Sequence, residues 1–243
     1  MSVVVPAILP KTYEDLSTHL KQVHGIAERV QIDICDGNFV DATTWPYTHS
    51  DGGKVPRNTS GETLDMLPCA EDFRLEVDLM VARPEEVVGT WIELGARRVI
   101  VHAASTDRMG EVIELLKHQY GYDKDFAPDL LSFGIAISLD TPAEKYEPYL
   151  ADAEFVQFMG IARIGHQGQP FDTRVLDRVR AFRKKYPEKH IQVDGGVSLE
   201  TAPKLFEAGV DTVAVGSALF GSADVTHTVR EFEKLAEQYG IFE

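Results

Sequence analysis

Polar residues stand inside several short apolar segments of this 243-residue chain. Gln31 and Asp33 alternate with apolar residues in "RVQIDIC", so they share one face of a predicted strand. Carboxylates are rarely buried without a partner, so this face belongs either to an active site or to a core with two unfavourable residues. The other polar residues of this kind are Asp78 in "VDLMV", His102 in "VIVHA" and Asp194 in "VDGG".

Three of these residues are aspartates, and their chemistry depends on whether they meet. If their strands converge on one mouth, Asp33, Asp78 and Asp194 lie close together. Three crowded carboxylates then require either a cation among them or a proton on at least one, and both arrangements suit general acid–base catalysis. The alternative is a structural role at the next turn, for which Asp36 before Gly37 is best suited.

His102 ends its apolar segment and has two candidate roles. A histidine in this place can be an acid–base group, because its usual pKa lies near neutrality. It can equally be a structural residue whose ring nitrogens bind neighbouring groups. The sequence leaves both roles open.

Glycines cluster after three consecutive predicted strands. They occur in "GHQGQ" (165–169), "DGG" (194–196) and "VGSALFG" (215–221). Glycine lets backbone N–H groups approach an anion, and the loops after the last two strands of a βα barrel commonly bind phosphate. Each motif also makes ordinary turns, but together they favour a phosphorylated ligand.

These residues are carried by eight apolar segments that alternate with amphipathic stretches. Such alternation predicts a parallel sheet, and eight units in about 250 residues predict a single-domain (β/α)8 TIM barrel over 1–243. An open doubly wound sheet is the alternative, but the G-x-G-x-x-G motif after the first strand is absent. The predicted strands are 3–9, 29–35, 73–81, 97–103, 132–138, 154–160, 190–196 and 211–218.

The second unit is longer than the others. The stretch after Asp36 is rich in Gly, Pro, Asn, Asp, Ser and Thr, which predicts an extended loop at about 38–60 and a short helix around 61–67. In a barrel this loop rises from the C-terminal face, where active sites lie. Loops of this length are lids, binding loops or disordered insertions.

Composition and charge exclude several function classes. The net charge of −15, from 39 acidic and 24 basic residues, disfavours binding to nucleic acid or an anionic membrane. We find no signal peptide and no apolar run of transmembrane length. Cys35 and Cys69 form no disulfide framework. We therefore expect a reduced, cytoplasmic protein.

The ordered motifs resemble the ribulose-phosphate 3-epimerase family over nearly the whole chain. "PAILP", "QIDICDGNFV", "VDLMV" and "SLDTP" are similar to the family's P-S-I-L, H-x-D-x-M-D-G-x-F-V, V-H-L-M-V and N-P-x-T-P. "VQFMGIARIGHQGQPF" is similar to V-L-V-M-T-V-x-P-G-F-G-G-Q-x-F, and "VDGGV" and "VAVGSALF" match with little change. The resemblance implies an isomerase that epimerises a phosphorylated ketose, and it also implies a homo-oligomer.

In the family two aspartates transfer a proton beside a carbonyl, and a divalent metal stabilises the enediolate. By motif match the two catalytic aspartates are Asp33 and Asp194. The family's flanking methionines correspond to Met80 and Met159, with Cys35 in the place of a third. Together with the glycine motifs, the candidate substrate-binding residues are Met80, Met159, Gly165, Gly168, Gly195, Gly196, Gly216 and Ser217.

The metal site departs from that of the family, which binds its ion through two histidines and two aspartates. Here Gln31 and Asp78 replace the histidines, so the candidate ligands are Gln31, Asp33, Asp78 and Asp194. An all-oxygen set favours Mg²⁺, Mn²⁺ or Ca²⁺ over Zn²⁺. Loss of the metal is the alternative, since the neutral amide of Gln31 adds little electrostatic attraction for a cation.

Further departures leave three functions open. Ala7 replaces a serine of the family, Arg163 and His166 stand in an altered loop, and the loop after strand 2 is longer. The chain is therefore an epimerase or isomerase, a phosphosugar-binding barrel with decarboxylase, lyase or aldol chemistry, or a non-catalytic sensor. Retention of Asp33 and Asp194 favours an enzyme, because a sensor has no need for costly buried carboxylates.

Overall fold

The computed structural model describes residues 3–48, 56–125 and 130–240. Its strands pair in parallel in chain order, and the last strand pairs with the first, so the sheet is a closed barrel. This confirms the predicted (β/α)8 fold and rules out an open sheet. The strands are β1 Val4–Ile8, β2 Arg29–Cys35, β3 Arg74–Met80, β4 Arg98–His102, β5 Ser132–Ile137, β6 Phe155–Met159, β7 His190–Asp194 and β8 Thr212–Val215.

Amphipathic helices cover the outside of the barrel, and their apolar faces form the main core with the outward side chains of the strands. Thr12 caps the first helix by accepting from the Asp15 N–H at 3.1 Å, and Pro84 begins the second. None of the described helices is both long and apolar enough to cross a membrane. The helices are α1 Tyr13–Val23, α2 Pro84–Glu93, α3 Met109–Tyr120, α4 Arg174–Lys185, α5 Ala202–Glu207, α6 Ser217–Phe220 and α7 Val225–Tyr239.

The predicted helix around 61–67 is wrong. The described residues between β2 and β3 form turns, with one antiparallel bridge between Arg57 and Thr63. Asn58 closes this turn because its side-chain oxygen accepts from the Glu62 N–H at 3.0 Å, which replaces a helical hydrogen bond. Residues 49–55 of the predicted long loop lie outside the described residues.

The connection after β5 also differs from the predicted pattern. The stretch "AEKYEPYL" forms two short 3₁₀ turns, Ala143–Lys145 and Glu147–Tyr149, in place of an α-helix. Pro148 lies inside this stretch and lacks the N–H that a continuous helix requires. The (β/α)8 pattern is therefore complete in its strands and reduced in its helices.

Strand register determines which side chains meet inside the barrel. Asp33 on β2 lies opposite Asp78 on β3, and Asp194 on β7 lies opposite Met159 on β6. Two residues earlier along the strands, Gln31 lies opposite Glu76, and Gln157 opposite Gln192. Because side chains alternate along a strand, both sets point into the barrel interior, in two successive layers.

Candidate active site

Asp33, Asp78 and Asp194 meet at the C-terminal ends of their strands. One carboxylate oxygen from each residue lies within 4.8 Å of the others. The three side chains are almost fully buried, with exposures of 6%, 0% and 9%. The predicted proximity of the three aspartates is thus confirmed, and the strand register explains it.

Burial and crowding change the protonation of this cluster. Burial, and then the charges of Asp194 and Asp78, raise the pKa of Asp33 well above its usual range. Burial, and then Asp78, raise the pKa of Asp194 to about 8. Unless a cation compensates the charge, the cluster therefore retains at least one proton at neutral pH.

Asp78 is held by two neighbours inside the barrel. His102 Nε2 lies 3.0 Å from Asp78 Oδ1, and Gln157 Nε2 donates to Asp78 Oδ2 at 3.0 Å. The His102 ring is fully buried and contacts Phe39, with 5.4 Å between the ring centroids. His102 is therefore a partner of a carboxylate in the cluster, and its Nδ1 has no hydrogen-bond partner among the described residues.

Gln31 directs its amide N–H at the cluster. Its Nε2 donates to Asp33 Oδ1 at 2.8 Å, and its Oε1 accepts from Gln192 Nε2 at 3.1 Å. In this arrangement Gln31 supports Asp33, and its carbonyl oxygen lies on the side away from the carboxylates. Gln157 and Gln192 were not predicted as site residues, although both are polar residues inside apolar strands, as Gln31 is.

A cleft opens above the cluster and connects it to the glycine loops. Asp33 and Asp194 line it, whereas Gln31 and Asp78 are fully buried and do not. Ala7, at the position of the family's serine, also lines it. All the predicted substrate-binding residues line the same cleft, namely Met80, Met159, Gly165, Gly168, Gly195, Gly196, Gly216 and Ser217.

The glycine loops depend on backbone conformations that side chains disfavour. Gly195 and Gly196 have φ values of +95° and +68° in the turn after β7. A Cβ atom at Gly196 would lie 2.7 Å from Phe171 Cα, so the backbone leaves no room for a side chain. This end of the cleft is therefore shaped by the backbone.

The loop after β2 contacts the loop after β6 at the rim of the cleft. Asp41 pairs with Arg163, and its Oδ1 lies 2.9 Å from His166 Nε2. Hydrogen bonds from Arg163 and then His166 lower the pKa of Asp41 to about 2. We call Asp41, Arg163 and His166 the rim clasp. It joins the long loop to a loop that lines the cleft.

Asp36 has the structural role that the sequence predicts. Its Oδ1 accepts from the N–H groups of Asn38 at 2.8 Å and Phe39 at 3.0 Å, and its Oδ2 accepts from Ala82 N–H at 2.9 Å. These bonds close the turn after β2 and tie it to the loop after β3. Asp36 is therefore separate from the carboxylate cluster.

The donor chemistry of the cluster is compatible with a divalent cation. Asp33, Asp78 and Asp194 offer three carboxylates, and hard cations bind oxygen ligands of this kind. Among the described residues, no histidine or cysteine belongs to the group. Carboxylate oxygens that already accept one hydrogen bond retain further lone pairs, so the partners of Asp33 and Asp78 do not prevent coordination.

Comparison with known proteins identifies the family. The chain matches the model of the Ribulose-phosphate 3 epimerase family over residues 3–220. It is 29% identical over 235 residues to ribulose-phosphate 3-epimerase of Bacillus subtilis (strain 168), covering 94% of this chain and 96% of the relative. It is 31% identical over 228 residues to the protein of the same name from Eremothecium gossypii, covering 91% and 87%.

The solved structures agree in fold. The 3-hexulose-6-phosphate synthase from Salmonella typhimurium superposes with a TM-score of 0.66 at 15% identity, covering 97% of this chain and 99% of that one. At this identity the likeness shows the barrel fold alone. The family model covers residues 3–220, which include all the motifs in their order. This chain belongs to the ribulose-phosphate 3 epimerase family.

Proposed function

We propose that this protein epimerises a phosphorylated ketose, with Asp33 and Asp194 as the two acid–base groups. The observation that carries the proposal is that both aspartates line one cleft with the glycine loops after β6, β7 and β8. A phosphate bound at the glycine loops would extend the sugar chain over the carboxylates. Membership of the family supports the same reaction class.

The reaction needs one carboxylate to accept a proton while the other donates one. Asp33 and Asp194 would act on opposite faces of the carbon beside the carbonyl, so that the proton returns on the other face. Three carboxylates within 4.8 Å favour a shared, incomplete protonation, which supplies one base and one acid. Gln31 would hold Asp33 in place by its hydrogen bond.

The walls beside the cluster are apolar. Met80 and Met159 are 2% and 1% exposed, and both line the cleft next to the aspartates. Sulfur side chains adapt to irregular ligands, and they exclude water from the reacting carbon. We infer that the two methionines enclose the sugar on either side, as the resemblance implies.

Asp33, Asp78 and Asp194 are the residues that would hold a divalent cation. When bound, such a cation supplies the positive charge that stabilises an enediolate. Since all the available donors are oxygens, we propose Mg²⁺ or Mn²⁺ in preference to Zn²⁺. Of the four predicted ligands, Gln31 is the weakest, because it directs its N–H at Asp33 and its carbonyl oxygen lies on the side away from the carboxylates.

Deuterium exchange tests the proposal directly. The protein is incubated in D₂O with D-ribulose 5-phosphate, and with other pentulose and hexulose phosphates, in the presence of Mg²⁺ or Mn²⁺. We expect deuterium to enter one C–H position of a substrate while its epimer accumulates, as followed by NMR. Absence of exchange with all these sugars would refute the proposal.

A second candidate is a phosphosugar-binding barrel with lyase, decarboxylase or aldol chemistry. The observation that favours it is the changed floor of the site, where Gln31 and Asp78 replace the family's two histidines. A binding survey with phosphosugars, followed by product analysis, separates the two candidates. A product with a different number of carbon atoms would favour the second, and an epimer would favour the first.

A further inference from the structure

Three glutamines form a connected layer beneath the carboxylate cluster. Gln31, Gln157 and Gln192 come from β2, β6 and β7, and all three are fully buried. Gln192 Nε2 lies 3.1 Å from Gln31 Oε1 and 2.8 Å from Gln157 Oε1. We call these three residues the amide layer. They link β2 to β6 and β7, which are not its neighbours in the barrel.

The amide layer donates upward to two of the three carboxylates. Gln31 Nε2 donates to Asp33 Oδ1 at 2.8 Å, and Gln157 Nε2 donates to Asp78 Oδ2 at 3.0 Å. Asp33 and Asp78 lie opposite each other on neighbouring strands, where like charges repel. The two N–H donors therefore hold both carboxylates in fixed orientations despite this repulsion.

A buried ion pair lies beside the amide layer, because Glu76 is the register partner of Gln31 on the neighbouring strand. Gln192 Nε2 donates to Glu76 Oε1 at 2.6 Å, and Arg98 Nε donates to Glu76 Oε2 at 2.6 Å. Glu76 is fully buried, and Arg98 is 6% exposed. Paired with Arg98, Glu76 is a carboxylate, which accepts hydrogen bonds and has no proton to donate.

The direction of each amide follows from this pair. A side-chain amide has nearly the same shape when its oxygen and nitrogen are exchanged, so its neighbours decide which atom points where. Because Glu76 only accepts, Gln192 presents its Nε2. That nitrogen carries two N–H groups, which the oxygens of Glu76, Gln157 and Gln31 share at 2.6, 2.8 and 3.1 Å. Gln31 and Gln157 therefore present their oxygens to it, which leaves their own N–H groups pointing toward the carboxylates.

We propose that Glu76 is a positioning residue of the active site. Through Gln192 it orients the amides of Gln31 and Gln157, so that each donates a hydrogen bond to a carboxylate of the cluster. Glu76 does not line the cleft, has no described hydrogen bond to the three aspartates, and acts one layer below them. The catalytic consequence of this inference rests on the proposed function, whereas the orientation of the amides does not.

The substitution Glu76→Gln tests the inference, because it keeps the shape and removes the obligate acceptor. In protein labelled with ¹⁵N at glutamine, the side-chain amide signals of Gln31 and Gln157 are assigned with the variants Gln31→Leu and Gln157→Leu. We expect downfield, slowly exchanging protons in the unmodified chain. In Glu76→Gln both signals should move toward ordinary values and exchange faster.

The kinetic readout is a loss of kcat with little change in KM. Residues that orient ligands or catalytic groups typically contribute about 10–100-fold, and the phosphate end of the cleft is untouched. Glu154→Gln is the matched control. Glu154 is a partly buried carboxylate. It accepts from Ser132 Oγ at 2.8 Å and has no described hydrogen bond to the amide layer. We expect it to leave both amide signals and kcat unchanged.

Gln192→Leu provides a second test, in case Glu76→Gln fails to fold with Arg98 left unpaired. It breaks the link to Glu76 without burying a charge, and it should displace the same two signals. Unchanged Gln31 and Gln157 signals in either folded variant would overturn the inference, whatever the activity. If the unmodified chain epimerises no phosphosugar, the proposed function fails, and the amide signals still decide this inference.

Discussion

The two ends of the cleft differ in composition: one is formed by side chains and the other mainly by backbone. The reaction end consists of Asp33, Asp78 and Asp194, side chains from three strands that are oriented by other side chains. The glycine end consists of the turns after β6, β7 and β8, which are shaped by backbone conformations such as that of Gly196. The chemistry of the reaction end can therefore change by substitution of side chains, whereas the shape of the glycine end depends on the backbone conformation.

The sequence changes follow this division only in part, because the loop after β6 at the glycine end is also altered. The glycine motifs after β7 and β8 match the family with little change, whereas Gln31 and Asp78 replace two histidines at the reaction end. Gln157, which stands at a leucine of the family motif, donates to Asp78. Gln31, Asp78 and Gln157 therefore belong to one hydrogen-bonded group.

The largest effect is expected from Asp33→Asn at the reaction end. Loss of an acid–base group should lower kcat and deuterium exchange by about 10²–10⁴-fold, with little change in KM. Asp177→Asn is the control, since Asp177 is exposed on α4. A more stable Asp33→Asn variant with unchanged kcat would show that Asp33 is not an acid–base group, and absence of activity in both proteins would favour the non-catalytic sensor.

The double substitution Gln31→His with Asp78→His tests whether the reaction end determines the metal. Imidazole ligands suit zinc, so the affinity for zinc should rise. Residues that only orient metal ligands change metal affinity by about 10-fold or more, so two new ligands should raise it by at least about tenfold. Metal analysis after dialysis against equal Zn²⁺ and Mn²⁺ provides the measurement. If both chains retain the same ion, the four positions do not form the metal site.

At the glycine end, Gly196→Ala should affect binding and stability. Gly196 and Gly168 both have positive φ, a conformation that costs other residues roughly 1–2 kcal/mol. The two positions differ in space: a Cβ atom at Gly196 would lie 2.7 Å from Phe171 Cα, whereas one at Gly168 would meet nothing within 4 Å. Gly196→Ala should therefore raise KM and lower the free energy of unfolding more than Gly168→Ala, with little change in kcat. Urea unfolding and steady-state kinetics measure both effects. A fall in kcat alone would show that the two ends are not separate.

The smallest effect is expected at the rim clasp, from Asp41→Asn. The clasp is exposed and salt-sensitive, so KM should rise only modestly. Asp41 has a lowered pKa of about 2, so its stabilising contribution is present above its ordinary value of 3.8 and is lost as the pH falls toward about 2. Urea midpoints of the two proteins should differ above about pH 4 and converge below it. A kcat loss as large as that of Asp33→Asn would assign the clasp to the reaction end.

Much of the fold and the cleft was predictable because it depends on local pattern. Alternation along each strand and the order of strand and helix segments identify the barrel, and the barrel in turn brings Asp33, Asp78 and Asp194 together. The helix around 61–67 was predicted wrongly, because the turn at Asn58 is closed by side-chain hydrogen bonds that carry no periodic signal.

The sequence by itself determined the barrel, the three carboxylates and the glycine loops, since each follows from residue types at short spacing. Only the tertiary structure decided what Gln31 does. Its amide meets Gln192, which is 161 residues away, once the barrel closes, and Glu76 and Gln192 together decide that it donates to Asp33. The direction of a hydrogen bond depends on the partners that meet in space, and spacing along a chain does not specify them.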